Sequence, residues 1–139
     1  MKQERGAEQG AGRGVGRGEG RGAGARRSAA ADADQPDRDG IRLDAVLHAA
    51  ADPIRRHMLG VLAERGEVTA AEMNLPVTRA TGSYHCRILR QAGWTHTQVR
   101  GRERYLSLRR EELDALYPGL VDAVLTAERT EQERPAQAK

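Results

Sequence analysis

The chain has 139 residues, room for one domain, and a composition of 38% hydrophobic and 3% aromatic residues leaves a small core. Its net charge of +3 conceals a segregation: residues 78–110 hold eight arginines against one acid, and residues 111–139 hold seven acids against three bases. A single cysteine, Cys86, excludes an internal disulfide framework. The absence of an apolar run of about 18 residues argues against a membrane-spanning helix, and the lack of an apolar leader points to the cytoplasm.

Residues 1–40 are predicted to form a disordered arm. Nine glycines fall within the first 24 residues, several alternating with arginine, and large apolar side chains are nearly absent. Such a segment cannot bury enough surface to offset its ordering entropy. Residues 1–30 carry a net +4. The arm is therefore either a weak nucleic-acid contact or a product of compositional drift, since arginine outnumbers lysine 21 to 2. Arginine-glycine tails that bind RNA usually add aromatic rings for base stacking, and this arm has none.

Order is expected from Ile41. Leu43, Val46, Leu47 and Ala50 share one face at helical spacing, which predicts a helix over about 41–51. Asp52-Pro53 starts a second helix, about 53–65, with Ile54, Met58, Val61 and Leu62 as its apolar stripe and Gly66 as its stop. Residues 69–74 read as a short third helix, and Leu75-Pro76-Val77 as a turn. Thr78 caps a fourth helix, about 79–92, which Gly93 ends. On its wheel Gly82, Cys86 and Leu89 point inward, while Ala80, Ser83, Tyr84, Arg87 and Gln91 point outward. Trp94–Arg100 and Glu103–Leu108 flank Gly101-Arg102, the signal of a hairpin. Residues 111–116 form a helical turn, and Pro118 starts a last helix with Leu120, Val121, Val124 and Leu125 on one face. The predicted fold is mostly α with a small β-hairpin, in the order α-α-α-α-β-β-α. That is the parts list of a winged helix-turn-helix. Residues 41–129 are expected to form one DNA-binding and dimerisation domain, and residues 130–139 a flexible tail.

Three segments carry a family resemblance. AADPIRRHMLGVL (50–62) resembles the opening of ArsR-type winged-helix repressors, TRATGSYHCRILRQAGW (78–94) their recognition helix, and VRGRERYLSLRREELDALYPGL (99–120) their wing and C-terminal helix. The resemblance spans about 41–127. It implies a homodimer paired through its first and last helices, a recognition helix in the major groove, and wings near the backbone or minor groove. By position, Ala80, Thr81, Ser83, Tyr84 and His85 match the groove-facing stretch. Gly82 and Cys86 stand where the family carries larger apolar residues. The Cys-x-Cys pair and the C-terminal Asp/His/Glu ligands of metal-sensing members are absent, so no metal or other cofactor is expected.

The candidate DNA contacts are therefore Thr78, Arg79, Ala80, Thr81, Ser83, Tyr84, His85, Arg87 and Arg90 on the helix, with Arg100, Arg102 and Arg104 on the wing. The candidate dimer seam is Leu43, Val46 and Leu47 with Leu120, Val121, Val124 and Leu125; for the last four, intradomain core is the alternative. Arg55 and Arg56 reach either phosphate or a surface acid such as Asp52 or Glu67. Cys86 is either a small buried hydrophobe or a redox thiol. His48, His57, His85 and His96 are scattered without metal-ligand spacing. The expected function is sequence-specific regulation of transcription by a homodimeric repressor at an inverted repeat in double-stranded DNA. The alternatives are RNA or non-specific nucleic-acid binding through the arm, and a winged helix used only for protein interaction. No catalytic signature is present, so an enzyme is not expected. The sequence names no small-molecule effector.

Overall fold

The structure is a computed structural model that describes residues 35–136. The expected disorder of residues 1–34 lies outside the described residues. The expected boundary at 40 is corrected, because residues 35–40 pack on the domain. Arg38–Gly40 form a 3-10 turn. The Gln35 side chain accepts a hydrogen bond from the Thr97 backbone N–H, and the Pro36 carbonyl accepts one from Arg109 Nη1 at 2.6 Å.

Helix α1 spans Leu43–Ala49, shorter than expected, and buries Val46 and Ala49. Helix α2 spans Pro53–Arg65 as the sequence predicts. Asp52 Oδ2 accepts the Arg55 N–H at 3.1 Å, and Pro53 sits in the first turn, where its missing N–H has no cost. The buried face of α2 is Arg55, Met58, Leu59 and Leu62, an i, i+3, i+4, i+7 stripe. Met58 and Leu62 of the expected stripe are buried, but Ile54 and Val61 are only half-buried, and Arg55 and Leu59 take the inward positions beside them.

The expected third helix over 69–74 is replaced by a strand and a single turn. Strand β1, Val68–Thr69, pairs with residues 105 and 106. A 3-10 turn follows at Ala71–Met73 and stops at Asn74, whose φ of 53° is left-handed. The capping exchange is complete: Thr69 N–H donates to Glu72 Oε1 at 2.8 Å, and Glu72 N–H to Thr69 Oγ1 at 3.3 Å. Pro76 lies two residues beyond Asn74, so this first arm of the helix-turn-helix is one turn long.

Helix α3 spans Arg79–Ala92, as the sequence predicts. Thr78 Oγ1 accepts the Thr81 N–H at 3.1 Å. Gly93, at φ 97°, ends the helix, and a Cβ there would lie 2.6 Å from Ile41 Cγ1, so glycine is required on two counts. Strands β2 (Thr95–Arg100) and β3 (Glu103–Leu108) form the expected hairpin around Gly101-Arg102. The antiparallel sheet has order β1-β3-β2, three strands where two were expected. Helices α4 (Arg110–Leu116) and α5 (Leu120–Glu133) complete the fold. Helix α5 passes Thr130, so residues 130–133 are helical and the expected tail is shorter; residues 137–139 lie outside the described residues.

One core joins these elements: Met58, Leu59 and Leu62 from α2, Leu89 from α3, Trp94, Leu106, Leu113 and Val121. Trp94 is fully buried, and its Nε1–H donates to the Val46 carbonyl at 2.9 Å, tying α1 to the root of the wing. Val46 and Val121 are therefore core residues of a single chain, with no accessible surface. This corrects their assignment to the dimer seam. Leu43 and Leu47 do stand out, 45% and 48% exposed, and Leu120, Val124 and Leu125 are half-buried. Five helices on a small three-stranded antiparallel sheet, with a two-residue wing tip, make a winged helix-turn-helix.

Candidate nucleic-acid interface

The interface is built on two supports. The cap at Thr78 and the stop at Gly93 fix α3, and the sheet carries the hairpin back to the helix. Between them lies a cleft of about 500 Å³. One wall is the start of α3, with Thr78, Arg79 and Ser83; the other is the wing, with Arg102 and Arg104. Ala71 and Asn74 close one end. These two residues were not foreseen, although a helix-turn-helix always places its first arm beside the recognition helix.

Thr78, Arg79, Ala80, Thr81, Ser83, Tyr84 and Arg87 are all exposed, as expected of a groove-facing surface. Tyr84 is 47% exposed, and the Arg87 guanidinium lies 5.7 Å from its ring centre. Arg79, Arg87, Arg102 and Arg104 form no ion pair among the described residues, so their charge faces solvent.

Three expected contacts are placed differently. His85 is 7% exposed and points into the fold, where Arg55 Nη1 lies 3.1 Å from its Nδ1. Arginine can only donate, so Nδ1 accepts. Asp52 Oδ2 is 4.0 Å from the same nitrogen. Arg90 is 6% exposed, on the inward side of α3. Both corrections have one cause: the buried sector of α3 runs through Gly82, His85, Cys86, Leu89 and Arg90, so polar residues fill part of an inward stripe. Arg100 is exposed but engaged. Its Nη2 donates to Glu67 Oε2 at 2.7 Å and to Gln98 Oε1 at 2.8 Å, and its guanidinium stacks 4.5 Å over the Tyr105 ring. It braces the wing against the start of β1.

Arg55 and Arg56 also serve the frame. Arg55 Nε donates to the Ala49 carbonyl at 2.7 Å, so one side chain links the end of α1 to His85 of α3. Arg56 donates to Glu128 Oε1 at 2.6 Å and to the Ala50 carbonyl at 2.9 Å, clamping α5. Neither forms an ion pair with Asp52 or Glu67. Cys86 is buried, and burial pushes its thiol pKa up against the pull of Arg90 and Arg104. A protonated, enclosed thiol behaves as a small hydrophobe. Among the described residues no three His, Cys, Asp or Glu side chains converge as metal ligands would.

No family model matches the chain. The chain is 31% identical over 87 residues to the uncharacterized HTH-type transcriptional regulator YuzN of Bacillus subtilis (strain 168), covering 57% of this chain and 95% of that protein. Among solved structures it resembles the crystal structure of an ArsR family transcriptional regulator, with TM-score 0.49 and 28% identity over 67% of this chain and 98% of the other. It also resembles that of a possible transcriptional regulator for arsenical resistance, with TM-score 0.47 and 30% identity over 68% of this chain and 88% of the other. With a capped recognition helix facing an arginine-tipped wing and this degree of identity to YuzN, the chain belongs to the HTH-type transcriptional regulators, a family of DNA-binding proteins.

Proposed function

We propose that the chain is an ArsR-type homodimeric repressor that reads an inverted repeat. The single observation that carries this is the cleft lined by the solvent-facing Arg79 of the helix and Arg102 and Arg104 of the wing, three cations against one acid, Glu103, among the described lining residues. A phosphate strand fits between two such cationic walls, and α3 then enters the major groove beside it. Ala80, Thr81, Ser83 and Tyr84 take the base edges, and the arginines take phosphate. In a dimer the four solvent-facing arginines become eight, which sets a salt slope of about −7 if each neutralises one phosphate.

Pairing is supported by the exposed Leu43 and Leu47 of α1, with the half-buried Leu120, Val124 and Leu125 of α5 as the second half of the seam. Large side chains this exposed gain from a second copy. Two copies would set their recognition helices about 34–36 Å apart, one helical turn of DNA. The protein acts in the cytoplasm and catalyses no reaction.

The test is a gel shift of the full chain against its own promoter region and against random duplex at moderate salt. The expected result is a discrete complex with the promoter that random DNA does not displace. Equal binding to both would remove the regulatory reading.

A further inference from the structure

We propose that a second, smaller cavity between α3 and the wing seats one phosphate-class oxyanion, held by Arg87, Arg90 and Arg104 around Thr97. The cavity measures about 210 Å³, room for a single tetrahedral anion and its waters but not for a nucleotide. Arg87 and Arg90 enter it from α3 and Arg104 from β3, with Ser83 and Cys86 beside them. Among the described residues no carboxylate lines it, and the guanidiniums of Arg87 and Arg104 bring it positive charge. Arg87 and Arg104 meet no acid elsewhere among the described residues, in contrast to Arg56, Arg109 and Arg110. The field reaches the interior: Arg90 and Arg104 both pull the Cys86 thiol toward its charged form, although burial outweighs them.

A second observation is independent of charge. Thr97 is 2% exposed, and its Oγ1 has no hydrogen-bond partner among the described residues. Buried hydroxyls are nearly always bonded, so this one calls for an acceptor or a bridging water that a seated oxyanion supplies. Guanidinium forks match the oxygens of phosphate in pairs. Ser83 and Arg104 also line the larger cleft, so the cavity opens beside the path proposed for DNA. The oxyanion is therefore either a phosphate of the DNA backbone, which rests on the proposed DNA reading, or free inorganic phosphate.

The test is a titration of inorganic phosphate into the full, DNA-free chain in chloride buffer at constant ionic strength, followed by amide NMR shifts. Saturable shifts confined to Ser83, Arg87, Arg90, Thr97 and Arg104 are expected. Thr97→Val, close in shape, and Arg104→Gln should each weaken phosphate at least about fivefold while keeping a native spectrum. Arg129→Gln, an equal charge loss on α5, should leave it unchanged. No saturation, no effect of the first two variants, or an equal effect of the third would overturn the proposal. Anisotropy of a labelled duplex then names the source. Competition by phosphate together with weaker DNA binding by Thr97→Val assigns the seat to the backbone; saturation with DNA affinity unchanged assigns it to the free anion. The phosphate titration stands even if duplex binding fails.

Discussion

Arginine does opposite work on the two sides of this domain. On the α3 and wing face, Arg79, Arg87, Arg102 and Arg104 hold their charge toward solvent. On the α2, α4 and α5 side, Arg56 meets Glu128 at 2.6 Å, Arg110 meets Asp122 at 3.0 Å, and Arg109 grips both oxygens of Glu112 at 2.9 Å. The first set leaves a potential that a polyanion can neutralise; the second spends its charge on acids of the same chain, at the surface in the case of Arg110 and Asp122. Cations left unneutralised and gathered on one face are what a polyanion can use, and a count of arginines cannot separate the two sets.

The sharpest way to break the comparison is to remove charge from each side and ask what fails. Arg102→Ala with Arg104→Ala deletes four cations from the proposed dimer. DNA affinity should fall on the order of 100-fold at low salt and the salt slope should shrink by about 4, with thermal stability unchanged. Anisotropy across a salt series checks this, and an unchanged slope would place the wing off the DNA. Arg55→Ala is the converse. It strands the Ala49 carbonyl and His85 Nδ1 inside the fold and should lower stability by about 2–3 kcal/mol in denaturant melts, roughly the desolvation of one or two buried acceptors. A loss below about 0.5 kcal/mol would put Arg55 with the surface set.

Gly82 sharpens the picture of α3. A Cβ there would lie 3.8 Å from Leu75 and 3.9 Å from Val77, ordinary contact distances, so nothing requires glycine. Gly82→Ala should stabilise the chain by about 0.5–1 kcal/mol through helix propensity, and urea melts would show it. Destabilisation would mean that α3 needs the space. The smallest effect is with pH. The Arg109 hydrogen bonds hold the Glu112 carboxyl below its ordinary value, against a weaker opposing effect of burial. A depressed folded pKa contributes stability that is fully present above the unfolded value of 4.5 and is lost as pH falls through the folded one. Glu112→Gln should lower the melting temperature slightly at pH 7 to 8, leave it unchanged at the lowest pH, and so flatten that acid limb. The side chain is 40% exposed, so solvent screens the effect.

The parts that were legible are those with local causes. Asp52-Pro53 and Gly66 bound α2, and Thr78 and Gly93 bound α3, within a turn of the groups they satisfy. The two-residue wing was equally plain at Gly101-Arg102. Strand β1 was not, because Val68 and Thr69 become a strand only by pairing with Leu106 and Tyr105, more than 35 residues away. In isolation the capping exchange of Thr69 and Glu72 reads as a helix start. The outward face of α3 was read correctly at Ser83, Tyr84 and Arg87, while His85 and Arg90 misled because polarity suggests water although both lie on the buried sector of the helix, where His85 meets Arg55 of α2.

The bounds of α2 and α3, their caps, the hairpin and the concentration of arginine at 78–110 were thus determined by the sequence alone, since they depend on neighbours within about four residues and on simple count. Which arginines remain free, that Val46 and Val121 close the core of one chain, and that helix and wing enclose two cavities were decided by tertiary structure. The reason is physical: a charge is neutralised, and a side chain buried, by whatever the fold brings within a few ångströms, and here the partner of Arg56 lies 72 residues along the chain.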